Sequence, residues 1–231
     1  MPYFPPSGLD FPRLSRRWYV YTDCESGDLN TTGVGDWVKN ASGTGATVAG
    51  AVTWAANMVG AMQIQLGTVN TNHVSIRVGN TTLRLAGGLA RYYAVLRYEQ
   101  LSNVTDTYSS RVGFISASNS ESTNGVFFRY AYTVNAGKFE AVTRAASVET
   151  ATDTGITVAI NTPYRMMIVV NDIGTSVGFY INGALVATNT ANIPTADIGC
   201  GITVIRTVGT AICNPLSVDL IEAEIIFTTP R

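Results

Sequence analysis

The sequence predicts an all-β protein, an antiparallel β-sandwich of jelly-roll type, and three observations support this. Short segments alternate apolar and polar residues with a period of two, and turns rich in glycine and asparagine separate them. Only 13% of the residues are charged, well below the usual ~25%, so threonine, serine and asparagine supply the polarity. No linker or internal repeat divides the chain. We therefore expect a single sandwich domain over residues 18–231, preceded by an arm over residues 1–17.

The clearest stretch predicts a three-stranded meander. Residues Tyr164–Val170 are apolar at both alternating sets of positions, which predicts a central strand covered on both faces. The turn Asn171–Gly174 follows, and Val177–Ile181 then alternates as a half-buried strand. Asn182 and Gly183 form the dipeptide best suited to a type I′ hairpin, in which both central residues take positive φ. The residues after them return as the next strand.

The rest of the domain repeats this pattern. Val48–Met62 is small and apolar, but it is shorter than the roughly 20 residues that cross a bilayer, so we interpret it as buried loop and strand. Further strands are predicted at Trp18–Tyr21, Ala61–Leu66, Val74–Val78, Thr82–Leu85, Arg91–Leu101, Arg111–Ala117, Gly125–Thr133, Lys138–Arg144, Gly155–Ile160, Ile202–Thr207 and Leu216–Phe227.

The first 17 residues have the composition of a docking arm. Prolines at positions 2, 5, 6 and 12 exclude a helix or a β-ladder. The segment is nevertheless too apolar for a solvated tail. It therefore packs either on its own domain or on a neighbouring subunit, and its candidate interface residues are Tyr3, Phe4, Phe11 and Leu14.

Charge and cysteine content exclude several classes of partner and site. The net charge is −1 and no basic stripe is present, so we expect no nucleic-acid partner, and the sequence predicts no membrane segment. Cys24, Cys200 and Cys213 match neither a disulfide framework nor a zinc site. Cys200 and Cys213 could face each other across a C-terminal hairpin, but a reduced, buried pair is the expectation. The N-terminus lacks the apolar core of a signal peptide, so we expect synthesis and assembly in a cytoplasm.

Several sequence segments resemble a known group of sandwiches. The run FYINGALVAT, preceded by VVND and followed by IPT, resembles the late hairpin of concanavalin-A-like, laminin-G-like sandwiches. The segments YSSRVGFISA, GVFFRY, TDTGITV and LSVDLIEAEI occur in the same order as in sandwich proteins of tailed bacteriophage virions. The resemblance extends from about Gly60 to Phe227. It implies a concanavalin-A-like fold and a virion protein, without indicating a position in the particle.

Some members of this superfamily hydrolyse glycans, and the chain has one candidate constellation for that chemistry. Laminarinase-like members place three carboxylates at alternate positions of one strand, facing one cleft. The nearest match here is Asp219, Glu222 and Glu224. A strict period of two puts Glu222 and Glu224 on one face, which we interpret as a solvated outer face, and Asp219 on the other. The sequence therefore predicts no catalytic residues and no enzyme.

No other group of residues indicates a cofactor or a metal ion. His73 is the only histidine and follows a polar turn, which predicts an exposed loop residue. Loop aspartates could contribute to a calcium site, but no spacing singles one out. Tyr180 and Tyr130 could stack on a sugar, although a tyrosine of the core or sheet surface is commoner. The loop aspartates considered are Asp153, Asp172 and Asp197.

These observations lead to the expectation of a non-enzymatic structural protein of the phage virion. A capsid decoration or cement protein on the particle surface is the first expectation, and a tail or head fibre subunit is the alternative. A carbohydrate-binding receptor-recognition module is the alternative from another class. The expected partners are other virion proteins, namely the major capsid protein or neighbouring subunits, together with further copies of the chain in a homo-oligomer. A host-surface glycan is an additional candidate.

Overall fold

The computed structural model describes residues 16–24, 37–50, 54, 58 and 60–229, without the side chains of 79–82. The described residues form two antiparallel β-sheets that face each other across one core, as the sequence predicts. The strands are β1 (Arg17–Thr22), β2 (Val38–Ser42), β3 (Thr47–Gly50), β4 (Met62–Leu66), β5 (His73–Leu83), β6 (Gly88–Tyr98), β7 (Thr107–Ile115), β8 (Gly125–Ala131), β9 (Lys138–Ala145), β10 (Val148–Thr157), β11 (Pro163–Val170), β12 (Val177–Ile181), β13 (Ala184–Asn189), β14 (Ile198–Val208) and β15 (Cys213–Phe227).

The two sheets differ in how their strands are joined. Sheet A has the order β13-β12-β11-β6-β15-β4-β3, and β1 also pairs with β15. The long strand β15 holds β4 along its first half and β1 along its second half, on the edge opposite β6. Sheet B has the order β10-β9-β8-β7-β14-β5-β2. Each sheet turns one face to the shared core and one face outward, and the outward faces are called outer faces below.

The core follows directly from the alternation in the sequence. On β6, every second residue from Ala90 to Tyr98 is buried, and β11 buries Tyr164, Met166, Ile168 and Val170 in the same way. An aromatic cluster fills the end of the core where Tyr98 donates or accepts a 2.6 Å hydrogen bond with Ser110. Edge-to-face contacts join its rings, which belong to Tyr98, Tyr108, Tyr130, Phe139 and Tyr164.

A buried amide ties the open edges of the two sheets together. Asn189, on edge strand β13 of sheet A, is 2% exposed. Its Nδ2 donates to the carbonyl of Ala141 (3.1 Å) and to Thr143 Oγ1 (3.2 Å), both on β9 of sheet B. Its Oδ1 accepts a 2.7 Å hydrogen bond from Thr152 on β10. No backbone ladder joins the edge strands of the two sheets at this point, so the Asn189 side chain supplies the hydrogen bonds between them.

Most predicted strands are confirmed, but several differ in number or bounds, and β6, β7, β14 and β15 begin three or four residues earlier than predicted. The strands predicted at Val74–Val78 and Thr82–Leu85 form one strand, β5, and β2 was not predicted. Strand β3 overlaps the start of Val48–Met62, the predicted buried loop and strand, but its last two residues are exposed. Strand β10 ends at Thr157 rather than covering Gly155–Ile160. The first strand begins at Arg17, one residue earlier than predicted. The arm, with Tyr3, Phe4, Phe11 and Leu14, lies outside the described residues.

The turns of the predicted meander are confirmed, but the prediction for the outer face of β11 is wrong. Asn182 and Gly183 have φ of 52° and 86°, as a type I′ hairpin requires. The Asn171 side chain accepts hydrogen bonds from the amides of Thr175 and Ser176, which closes the preceding turn. The expectation that β11 is covered on both faces is wrong. Its outer residues are only half-buried or exposed, because they form part of an open groove.

Within the part of the chain that the structure describes, no helix is long and apolar enough to span a bilayer. Its helical segments are two short 3-10 turns, Leu85–Gly87 and Asn135–Gly137.

Candidate functional site: a groove on the outer face of sheet A

A groove of about 560 Å³ lies on the outer face of sheet A. Its position follows from two adjacent cross-strand rows that run from β12 to β1. Because antiparallel strands lie about 4.8 Å apart, a row across five strands is roughly 19 Å long. The first row is Tyr180, Met167, Tyr93, Glu222 and Tyr21, and the second row is Gly178, Val169, Arg91, Glu224 and Tyr19.

Tyrosines lie in this groove and continue its two rows beyond the lining. Tyr93 and Tyr180 are half-buried in its lining. Tyr19 and Tyr21 are 41% and 55% exposed, and their rings stack with centroids 5.9 Å apart. Gly178 makes room at the β12 end, since a Cβ there would lie 3.0 Å from the Tyr180 ring. The first row therefore presents three aromatic rings along one line.

The second row contains the ion-paired carboxylate of the groove. Glu224 is 7% exposed, and its Oε1 lies 2.5 Å from Arg17 Nε. Its other oxygen lies 3.6 Å from Arg91 Nη1. Arg17 in turn stacks over the Tyr19 ring at 4.9 Å. The prediction that Glu222 and Glu224 share an outer face is confirmed, but Glu224 is an ion-paired residue of the groove floor rather than a solvated one.

The structure corrects the predicted position of Asp219. The pairing of β15 with β6 shifts register between Val218 and Leu220, so Asp219 is the extra residue of a β-bulge. The bulge breaks the period of two and brings Asp219 into electrostatic range of Tyr93 and Arg165. Burial raises the pKa of Asp219, and the nearby Asp23 raises it further. Asp219 therefore belongs to the same side of the sheet as Glu222.

The other predicted site residues do not converge on this groove. Tyr130 is buried in the aromatic core, so of the two candidate stacking tyrosines only Tyr180 lines the groove. His73 begins β5 rather than lying in an exposed loop, and both of its ring nitrogens are hydrogen-bonded. The three aspartates predicted in loops all lie outside the groove lining. The loop prediction is wrong for Asp153, which lies in β10 and pairs with Lys138. Asp197 pairs with Arg84, and Asp172 is exposed.

The three cysteines are buried, and no disulfide bond joins any two of them. Cys200 and Cys213 do not face each other across a hairpin, because β14 belongs to sheet B and β15 to sheet A. Burial raises the pKa of the Cys200 thiol to about 12 and that of Cys213 to about 11. Among the described residues, no group of histidine, cysteine or acidic side chains is placed to hold a metal ion.

Sequence reasoning missed Tyr93 and Arg91 as groove residues, and Tyr19 and Tyr21 as the next residues of the same rows. The available signal was the alternation itself, since each of these residues lies on the outward set of its strand. Alternation identifies the outer set but not which strands become neighbours, so the groove could not be assembled from it.

Comparisons with known proteins agree with this architecture. Residues 57–219 match the family described as SO2946-like, C-terminal domain. No curated protein sequence is significantly similar to the chain. Among solved structures, the protein of unknown function SO2946 from Shewanella oneidensis MR-1 superposes with a TM-score of 0.67 at 14% identity, covering 93% of this chain and 89% of its own.

Two further solved structures share the concanavalin-A-like sandwich. The endo-1,3-beta-glucanase from Streptomyces sioyaensis has a TM-score of 0.59 at 13% identity, covering 97% of this chain and 99% of its own. The carbohydrate recognition domain of Emp47p has a TM-score of 0.55 at 10% identity, covering 84% of this chain and 89% of its own. At these identities the similarity establishes the fold.

Proposed function

This chain belongs to the family described as SO2946-like, C-terminal domain, and we propose that it is a non-enzymatic structural protein of phage virions that binds glycans in the sheet A groove. The observation that carries the glycan-binding part is the pair of tyrosines, Tyr180 and Tyr93, in the lining of a groove of about 560 Å³, with the exposed Tyr21 next in the same cross-strand row. Ligand sites of roughly 300–1,000 Å³ that combine aromatic surface with a few polar groups are typical of small-molecule recognition.

The chemistry of the groove fits a sugar. The C–H faces of a pyranose ring pack on tyrosine rings, whose hydroxyl ends remain polar. Arg91 can donate and Glu222 can accept the hydrogen bonds of sugar hydroxyls. The groove lining spans four strands, from Tyr180 on β12 to Glu222 on β15, which is roughly 14 Å and exceeds a single sugar ring, so it favours an oligosaccharide. An endo-1,3-beta-glucanase and a carbohydrate recognition domain share the fold, which is compatible with this proposal.

The non-enzymatic part of the proposal rests on how the carboxylates are engaged. Hydrolysis of a glycosidic bond with retention of the anomeric configuration uses two carboxyl groups about 5–5.5 Å apart, one as the acid and one as the nucleophile. Glu224 instead lies between Arg17 and Arg91 and is 9% exposed at its side chain. Such pairing suits a structural or sugar-orienting role better than proton transfer.

The proposal that the protein is part of a phage virion rests on the sequence. Its support is the resemblance of the segments from Gly60 to Phe227 to phage sandwiches, together with a charged fraction of 13%. Extensive subunit contacts favour such charge-poor chains. Within that setting we propose a decoration protein on the capsid surface, with a fibre subunit as the alternative.

A glycan array with the purified chain tests the binding proposal. We expect saturable binding of an oligosaccharide, and Tyr93→Ala and Tyr180→Ala should each weaken it about tenfold. Tyr132→Ala is the matched control, because Tyr132 follows β8 in sheet B and lies outside the groove. Absence of glycan binding, or variants that bind as well as the wild type, would contradict the proposal.

Gly178→Ala probes the aromatic row without removing a ring. The added Cβ should displace Tyr180, so we expect weaker glycan binding with nearly unchanged thermal stability. Release of reducing sugar by the wild type, lost in the double variant Glu222→Gln and Glu224→Gln, would contradict the non-enzymatic part only. Imaging of labelled virions tests the setting separately, because absence of the protein from purified particles would reject it whatever the glycan result.

A further inference from the structure

A second groove, of about 410 Å³, lies on the outer face of sheet B, on the opposite side of the sandwich from the first. It is called the sheet B groove. Strands β7, β8 and β14 form its floor, and the loop after β7 contributes one wall. Its lining residues are Ser109, Arg111, Glu121, Arg129, Ala131, Val134, Ile205 and Thr207.

Arg111 fixes the wall of this groove. Its side chain is 5% exposed, and Nη1 donates a 3.0 Å hydrogen bond to the carbonyl of Ser120. Nη2 pairs with Glu121, which also lies 3.3 Å from Arg144. The loop 116–124 is closed at its base by hydrogen bonds between Ser116 and Asn124. These contacts fix the loop 116–124, so one wall of the groove has a defined position.

Five buried polar atoms on this face lack partners within the described part of the chain. Two belong to the groove lining, Ser109 Oγ and Arg111 Nε, and three lie outside it, Thr203 Oγ1, Ser75 Oγ and Arg144 Nε. Thr203 is the direct cross-strand neighbour of both Arg111 and Ser75. A buried polar group without a partner costs about 1–3 kcal/mol. The two in the lining indicate that a ligand supplies the missing hydrogen bonds there.

The charge of the lining indicates the sign of that ligand. Two guanidinium groups, Arg111 and Arg129, face one carboxylate, Glu121. Arg129 is already held by Glu140 at 2.8 Å and by Glu149 at 2.9 Å. Burial lowers the pKa of Arg111, Glu121 opposes this, Arg129 and Arg144 lower it further, and Glu149 opposes the decrease. A further negative charge beside the unpaired Nε of Arg111 would favour its charged form.

We propose that the sheet B groove binds a small hydroxylated carboxylate, of the class of a sugar acid such as a hexuronate. The carboxylate would accept from Arg111, whose planar guanidinium suits it. The ligand hydroxyls would bond Ser109 and Thr207, which both line the groove. The carbon skeleton would pack on Ile205 and Val134, which an inorganic anion could not contact as fully.

Calorimetric titration of the full chain with galacturonate, and with galactose as the neutral counterpart, tests this proposal. We expect galacturonate to bind, with affinity falling as salt rises, and galactose to bind at least about tenfold more weakly. Equal binding of the two sugars would overturn the carboxylate assignment. No heat with galacturonate at millimolar concentration would overturn the site.

Two conservative variants separate binding from folding. Ser109→Ala removes an unpaired hydroxyl of the lining, so we expect an unchanged or higher melting temperature but about tenfold weaker galacturonate binding. Ser75→Ala is the matched control, because its hydroxyl is also unpaired but lies outside the lining, and binding should not change. Wild-type affinity in the Ser109 variant, or equal losses in both, would overturn the assigned contacts.

A variant of the first groove shows which site the sugar acid occupies. Tyr93→Ala, in the sheet A groove, should leave galacturonate binding unchanged. A loss of binding in that variant would place the sugar acid in the first groove and would overturn the proposal.

Discussion

Arg206 and Asp106 form an ion pair inside the protein, with Arg206 Nη2 3.2 Å from Asp106 Oδ1 and side-chain exposures of 0% and 12%. Arg206 also donates to the carbonyls of Gly67 and Ala211. One guanidinium thereby joins three loops at one end of the sandwich, those after β4, before β7 and before β15. Planar geometry lets an arginine satisfy several acceptors at once, which a lysine cannot reproduce.

Replacing Arg206 should therefore cost substantial stability. Arg206→Ala leaves Asp106 and two carbonyls without their buried donor, so we expect a loss of about 3–5 kcal/mol in the free energy of unfolding, measured in urea. Arg84→Ala is the control, because its partner Asp197 and Arg84 itself are exposed, and such pairs contribute about 0–1 kcal/mol. Equal effects of the two variants would contradict the structural role of the buried pair.

The hairpin between β12 and β13 offers a test of backbone conformation alone. Gly183 has a φ of 86°, and a Cβ added there would meet no heavy atom within 4 Å, so Gly183→Ala adds strain without a clash. We expect a loss of about 1–2 kcal/mol in unfolding free energy. Gly50→Ala is the matched control. The added Cβ also has no heavy atom within 4 Å, but Gly50 does not have a positive φ, so the effect on stability should be small. Similar effects at both glycines would show that φ is not the cause.

Asn189 should contribute strongly to joining the two sheets. Asn189→Leu keeps the approximate volume but removes the acceptor of Thr152 and the side-chain donor to the Ala141 carbonyl, while Thr143 keeps its hydrogen bond to the carbonyl of Ala191. We expect a loss of about 2–4 kcal/mol in unfolding free energy, since each unsatisfied buried group costs about 1–3 kcal/mol. Amide hydrogen exchange should rise selectively in β10 and β13. Asn119→Ala is the control because Asn119 is exposed, and protection unchanged in the Asn189 variant would reject the role.

His73 should make stability depend on pH. Its Nε2 lies 2.9 Å from Asn40 Oδ1 and its Nδ1 lies 2.8 Å from Ser42 Oγ, an arrangement that suits the neutral ring. Burial, followed by the charge of Arg77, lowers the pKa of His73 below 6.5. The unfolded chain then binds more protons, so this contribution is present above pH 6.5 and is lost as pH falls through the folded pKa.

Urea unfolding of the wild type and of His73→Gln at several pH values measures this contribution. We expect the wild type to lose stability relative to the variant as pH falls below about 6.5. A difference between the two proteins that stays constant across that range would show that His73 does not titrate differently on folding.

The local features of this fold could be predicted because they depend on neighbours in sequence. Alternation with a period of two identified most strands and the inward set of residues on them. The Asn182–Gly183 hairpin was predictable because only a few residue types accept two positive φ angles. The same local reasoning failed at Asp219, where a single extra residue in β15 moved the side chain to the other face.

The sequence by itself determined the strands, the tight turns and the all-β class, since backbone propensity and side-chain alternation are local properties. The tertiary structure alone decided which residues became neighbours. Tyr180, Met167, Tyr93, Glu222 and Tyr21 form one row although they come from five strands spread over the chain. Strand order and register depend on long-range pairing and on packing of the two inner faces, so no local pattern encodes the two grooves that result.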